Sequence, residues 1–238
     1  MTLHTFQDGT RFLASSSSLL NEHGIELQVG HDFDEYREIL AEARPGHTLG
    51  APLNPDLQPM TPANSFWIAG RDGNGTIMHT QAMRCVDLHG GYLSDYLRRR
   101  FVDYPPSGMD LDMNRSRYRA GPGAQRIKGQ VCYHGEFWMG GTPGQYRGTG
   151  LSYILGRYAF LLGLQMYDPD YIFGFMERTV VFKGFPARHG YMHMEPSALR
   201  WYIKNNENPL EGYLVYVGRD DIRFLLDMPL SDILDMAA

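Results

Sequence analysis

Two neighbouring stretches in the middle of the chain hold residues that can do chemistry. From Gly129 to Met139 the residues suit a strand, whose two-residue period puts Cys132, His134, Glu136 and Trp138 on one face and Val131, Tyr133, Gly135 and Phe137 on the other. His134 and Glu136 then point the same way, and each is a group that can take a proton. Directly after them comes Gly140-Gly141-Thr142-Pro143-Gly144-Gln145-Tyr146-Arg147-Gly148-Thr149-Gly150, and then a helix start at Leu151-Ser152-Tyr153. Gly148 and Gly150 can take positive φ and carry no Cβ, so successive backbone N–H groups can converge at the mouth of the helix. An anion there also feels the positive end of the helix dipole.

Spacing excludes the commonest phosphate ligands. A nucleoside triphosphate loop needs Lys-Ser/Thr after its last glycine, and Leu151-Ser152 stands there instead. The dinucleotide fingerprint needs a third glycine where Tyr153 sits. Metal is not expected either. His134-x-Glu136 opens like a zinc deaminase signature, but no P-C-x-x-C follows. His189 and His193 have helical ligand spacing, yet Gly190 interrupts the helix and no Cys pair accompanies them.

Gln145-x-x-Gly148-x-Gly150 resembles the Q/R-x-x-G-x-G/A turn of the GNAT acyltransferases, which cradles the pyrophosphate of coenzyme A. The element order is similar as well: helix 151–166, strand Tyr171–Met176, helix 178–188, then Gly190-Tyr191 where the family has Gly-Phe or Gly-Tyr. Upstream, a strand and helix near 25–44, a hairpin at 66–87 and the long strand 129–139 also follow the family's order. The likeness covers most of residues 25 to 218, with its specific part in the centre. It implies an α/β (α+β) fold: a mixed, mostly antiparallel sheet splayed between its fourth and fifth strands, with helices on both faces.

The resemblance also implies roles. Gln145, Tyr146, Arg147, Gly148, Thr149 and Gly150 would hold the pyrophosphate, and the backbone of Met139, Gly140 and Gly141 would hold the pantetheine arm and polarise the thioester carbonyl. Family members place an acidic or histidine base on the strand before the turn, which makes Glu136 the first candidate and His134 the second. On an exposed sheet face the same pair can instead satisfy each other's hydrogen bonds. Relatives keep a tyrosine four residues before the Gly-Phe/Tyr pair to protonate the departing thiolate. Pro186 occupies that place here, leaving Tyr191, His189 or solvent as the proton source. The expected activity is N-acyl transfer by direct attack, from acetyl-CoA or another short acyl-CoA to a small-molecule or peptide amine. A long-chain or acyl carrier protein-dependent N-acyl synthase on the same fold is one alternative, and a non-catalytic acyl-CoA sensor is another.

Composition sets outer limits. The 238 residues carry a formal charge of −5, which does not suit a binder of nucleic acid backbones. Cys85 and Cys132 fall in apolar, strand-like runs rather than in paired spacing, as expected of buried thiols in a cytoplasmic protein. No run approaches membrane-spanning length, so a soluble protein is expected, with a homodimer left open.

Along the chain, residues 1–24 read as an N-terminal arm without clear period, 25–218 as the acyltransferase-like domain, and 219–238 as a helical tail interrupted at Pro229. Ile25–Val29 alternates as a strand, and Asp32 or Asp34 can cap the helix that follows. Asp72-Gly73-Asn74-Gly75 signals a hairpin. Residues 45–64 and 104–126 read as long loops, the second holding Arg115, Arg117 and Arg119, which suit either an anionic group on the acceptor or plain solvation. Gly156 and Gly163 lie seven apart on one helix face, and each costs roughly 1 kcal/mol relative to Ala, so close helix-to-sheet packing is expected there.

Overall fold

A hairpin built on Asp72 starts the sheet: its carboxylate accepts from the N–H groups of Asn74 and Thr76, both at 2.9 Å. This turn joins β2 (Ser65–Arg71) to β3 (Ile77–Tyr92), and β1 (Glu26–Gly30) pairs antiparallel on the outer side of β2. The computed structural model describes residues 3–106, 108–142 and 144–235, giving the backbone alone for residues 3–8, 11, 230 and 234. Met1–Thr2 of the expected arm, Ser107 of the second loop, Pro143 of the glycine-rich turn and Met236–Ala238 of the tail lie outside the described residues.

The remaining strands are β4 (Arg117–Tyr118), β5 (Lys128–Met139), β6 (Tyr171–Glu177), β7 (His193–Trp201) and β8 (Leu210–Gly218), in the spatial order β1-β2-β3-β5-β6-β8-β7-β4. Every neighbouring pair is antiparallel except β5 and β6. Those two run parallel and stay paired only from Val131–Tyr133 against Tyr171–Phe173. Beyond that point β5 continues beside β3 and β6 beside β8, so the sheet opens between them. This is the mixed, mostly antiparallel, splayed architecture that the resemblance implies.

Helices cover both faces. On one lie α1 (Leu3–Glu22), α4 (Leu151–Tyr167) and α7 (Arg219–Asp227), packed over Met83, Cys132 and Ile172. On the other lie α2 (Phe33–Ala43), N-capped by Asp32, and α3 (Leu93–Arg100). A short α8 (Leu230–Asp235) follows Pro229, which separates it from α7 as expected. Among the described residues, no helix is long and apolar enough to cross a membrane.

Three local expectations change. Residues 3–22 are helical and bury Phe12, Ser16, Leu19 and Leu20, a helical stripe in which a serine at one core position masks the apolar period. The helix expected over 178–188 is two: α5 (Arg178–Phe182) and α6 (Phe185–His189), parted by Gly184 at φ 75°. Pro186 sits in the first turn of α6, where a missing N–H is harmless. Of the two helix glycines, Gly163 lies against the sheet, where an added Cβ would come within 2.6 Å of Met83 Sδ. Gly156 instead lies against α6, where a Cβ would come within 2.5 Å of the His189 carbonyl oxygen.

Candidate active site

The glycine-rich turn lies between the end of β5 and the start of α4. Gly141, Gly144, Gly148 and Gly150 take φ of 83°, 87°, 75° and 76°, conformations that glycine adopts without a Cβ penalty. Some of the turn's amides serve the protein: Gln145 N–H bonds Thr142 O, Arg147 N–H bonds Gly144 O, and Thr149 N–H bonds Tyr146 O at 3.4 Å. Among the described residues, no protein acceptor takes the N–H groups of Tyr146, Gly148, Gly150 or Ser152. A hollow of about 580 Å³ opens over them. Its wall includes Met139, Gly140, Gly141, Gln145, Tyr146, Arg147, Gly148 and Gly150, so the structure brings together every residue expected to bind the cosubstrate but Thr149. The Thr149 hydroxyl is engaged locally, donating to Tyr146 O at 2.8 Å and accepting from Leu151 N–H at 3.3 Å. Arg147 and Arg188 line the same hollow, and α4 has no acidic residue in its first turn, so the local field favours an anion.

A second cleft, of about 260 Å³, occupies the opening between β5 and β6; Phe185 lines both. Here the expected single face for His134 and Glu136 is wrong. β5 carries a bulge opposite Thr80–Ala82, with Glu136 at φ 57°, and the extra residue reverses the alternation. Cys132, His134, Phe137 and Met139 therefore face α4, whereas Tyr133, Glu136 and Trp138 face α2 and the 45–64 loop.

On the α4 side His134 is held at both ring nitrogens. Gln81 Nε2 donates to Leu155 O at 2.9 Å, which turns its carbonyl oxygen toward His134 Nε2, also at 2.9 Å. Nε2 must then carry the proton, leaving Nδ1 to accept from the Tyr191 phenol at 2.8 Å. Burial, reinforced by nearby His79, pushes His134 down to about 3, so the imidazole is neutral at physiological pH and a poor base. Burial, and secondarily Tyr133, holds the Tyr191 phenol well above its ordinary value, which keeps its proton in place. His189, 1% exposed, also lines the cleft, resting on Phe137 at 3.8 Å between ring centroids. Neither of its ring nitrogens has a hydrogen-bond partner among the described residues.

On the other side Glu136 is the centre of a buried cluster. Its carboxylate accepts from Arg44 at 2.8 Å, from His47 at 2.7 Å and from the Gly50 N–H at 2.9 Å. Burial pushes its pKa up, but the hydrogen bonds from His47 and Gly50 and the charges of His47 and Arg44 together pull it below the usual carboxylate value. The 45–64 loop is thereby tied to the bulge, and a three-residue 3₁₀ turn at Ala51–Leu53 buries Pro52 and Leu53. Arg44, His47 and Gln81 gave no sequence signal, because each reaches its partner across 53 to 92 residues of chain. Arg115, Arg117 and Arg119 are exposed and line neither cleft; Arg115 stacks on Tyr202 at 4.2 Å.

No family model matches the chain, and no curated protein matches it. Several solved structures do resemble it. FeeM, an N-acyl amino acid synthase from uncultured soil microbes, aligns over 84% of this chain and 94% of its own, with 9% identity and a TM-score of 0.45. An N-acetyltransferase from Staphylococcus aureus Mu50 aligns over 82% and 98%, with 10% identity and a TM-score of 0.44. A spermidine N-acetyltransferase from Vibrio cholerae, solved with CoA and spermine, aligns over 84% and 98%, with 9% identity and a TM-score of 0.43. At 9–10% identity the likeness is one of fold.

Proposed function

We propose that this chain is a GNAT-type N-acyltransferase that moves an acyl group from acetyl-CoA, or another short acyl-CoA, to an amine. The observation that carries this reading is the set of amides at Tyr146, Gly148, Gly150 and Ser152 that have no protein acceptor among the described residues, at the mouth of α4 and beside the splayed cleft. In this reading they hold the pyrophosphate, with Gln145, Arg147 and Thr149 completing the turn, and the pantetheine arm runs past Met139–Gly141 toward the cleft. A cleft of about 260 Å³ suits a thioester bearing a short acyl group better than a long chain. The His189 imidazole lines that cleft without a hydrogen-bond partner among the described residues, and its one donor and one acceptor are complementary to an amide of the arm.

The amine nitrogen attacks the thioester carbonyl carbon, and the carbon–sulfur bond breaks with its electron pair leaving on sulfur. Tyr191 supplies the thiolate's proton in place of the tyrosine that Pro186 displaces, while His134 positions the phenol. Glu136, ionised at the cleft wall, takes the ammonium proton, with His47 behind it. Because Glu136 is already engaged by three donors, this step depends on the cluster as a whole.

Freshly purified protein examined by native mass spectrometry should retain coenzyme A, and acetyl-CoA with a panel of amines should release free thiol. Binding without turnover of any amine supports the sensor alternative. Turnover restricted to long-chain or carrier-protein thioesters supports the N-acyl synthase alternative. Absence of coenzyme A binding overturns the whole reading.

A further inference from the structure

Cys85 and Cys132, far apart in sequence, stand directly opposite each other on the adjacent antiparallel strands β3 and β5. Their pairing type follows from the backbone. Cys85 N–H donates to Asn64 O, on the β2 side, at 2.6 Å, so the peptide groups of Cys85 point away from β5. Toward β5 the two cysteines are therefore a non-hydrogen-bonded pair, the kind in which opposing Cα atoms approach to about 4.5 Å and side chains come closest. That spacing lies within the range a disulfide spans, about 4.4–6.8 Å. Both side chains lie in the apolar layer beneath α1 and α4.

We infer that Cys85 and Cys132 form a reversible cross-strand disulfide when the protein meets a small hydroperoxide. The two thiols are not equivalent. Cys85 keeps 6% exposure where Cys132 keeps none, and the neighbouring Cys132 thiol outweighs burial to hold its pKa below the ordinary value, so it is the attacking sulfur. Cys132 is fully buried, and burial raises its thiol well above the ordinary value. Cys85 attacks a peroxide oxygen; the O–O bond breaks, one alcohol or water leaves, and a sulfenic acid remains. Cys132 then attacks the Cys85 sulfur, the S–O bond breaks and water leaves. The two thiols lose two electrons and two protons, and the peroxide gains both. The bond ties β3 to β5 two residues before His134, and it stands independently of the acyl-transfer reading.

The chain has two cysteines, so counting alkylated thiols is unambiguous. Full-length protein would be treated with hydrogen peroxide, quenched, denatured and alkylated, then weighed intact. The expected product accepts no alkyl group, is lighter by two hydrogens, remains a monomer on a non-reducing gel, and regains both thiols with dithiothreitol. Cys132→Ser should leave a Cys85 sulfenic acid that dimedone traps, an adduct largely missing from the wild type. Retention of both thiols, a crosslinked dimer, or over-oxidised Cys85 beside an alkylatable Cys132 would overturn the inference, and each is readable in the wild type alone.

Discussion

The Tyr191 phenol donates to His134 Nδ1 across 2.8 Å, linking the residue that follows Gly190 to strand β5 at the point where the sheet splays. His134 cannot answer by taking a charge, because its buried ring is neutral and its other nitrogen is committed to Gln81. The phenol is thus held in place and protonated, and to act as the proposed acid it would have to turn its O–H from His134 to the departing sulfur.

Tyr191→Phe tests that task. Thiol release should fall on the order of 10²-fold in kcat, with KM for the thioester nearly unchanged. The variant also leaves Nδ1 of His134 buried without a donor, a cost of about 1–3 kcal/mol that a thermal melt would register. Unaltered kcat alongside a lowered Tm would reduce Tyr191 to a structural residue.

Glu136→Gln removes the anion that Arg44 and His47 share, and should lower unfolding free energy at pH 7 by about 3 kcal/mol. The folded-state pKa of Glu136 lies below its ordinary 4.5, so its stabilisation is complete above that value. It is lost as pH falls through the lower folded value. Urea unfolding of both proteins from pH 7 to pH 3 should show the gap closing at the acid end; a gap independent of pH would remove the carboxylate's charge as its cause.

His189→Phe separates binding from packing. It deletes two buried, unpartnered nitrogens, so Tm should hold or rise. Affinity for CoA should nevertheless fall about tenfold, the worth of roughly one hydrogen bond. Calorimetry with 3′-phospho-ADP, which has the same pyrophosphate and no pantetheine arm, should show no loss. Equal losses for both ligands would place His189 outside the arm's path.

Gly156→Ala sets helix propensity against space. Alanine favours the helix by about 1 kcal/mol, yet its Cβ would come within 2.5 Å of the His189 carbonyl oxygen. Backbone cannot yield as a side-chain tip does, so net destabilisation of about 1–3 kcal/mol is expected in chemical denaturation. A more stable variant would show that α4 and α6 are less closely packed than described.

Much of this was legible in local sequence. Alternation and Asp-Gly punctuation marked the first hairpin, and glycine spacing marked the turn whose positive φ values the structure shows at Gly148 and Gly150. The errors came where one residue broke a period or where partners were distant. Glu136 adopts a left-handed conformation that no composition rule anticipates, and that single bulge moved it to the opposite face from His134. Ser16 on a buried stripe hid helix α1. The polar chain from Leu155 through Gln81 and His134 to Tyr191 joins α4, β3 and β5 to the loop between α6 and β7, so it exists only once the sheet is assembled.

The central claim, that the turn's amides receive a pyrophosphate, is tested most directly by hydrogen–deuterium exchange with and without saturating CoA. Exchange at Tyr146, Gly148, Gly150 and Ser152 should slow on binding, while the committed amides of Gln145 and Arg147 change little. Bound CoA with unaltered exchange at those four positions, or protection confined to another part of the chain, would contradict the account.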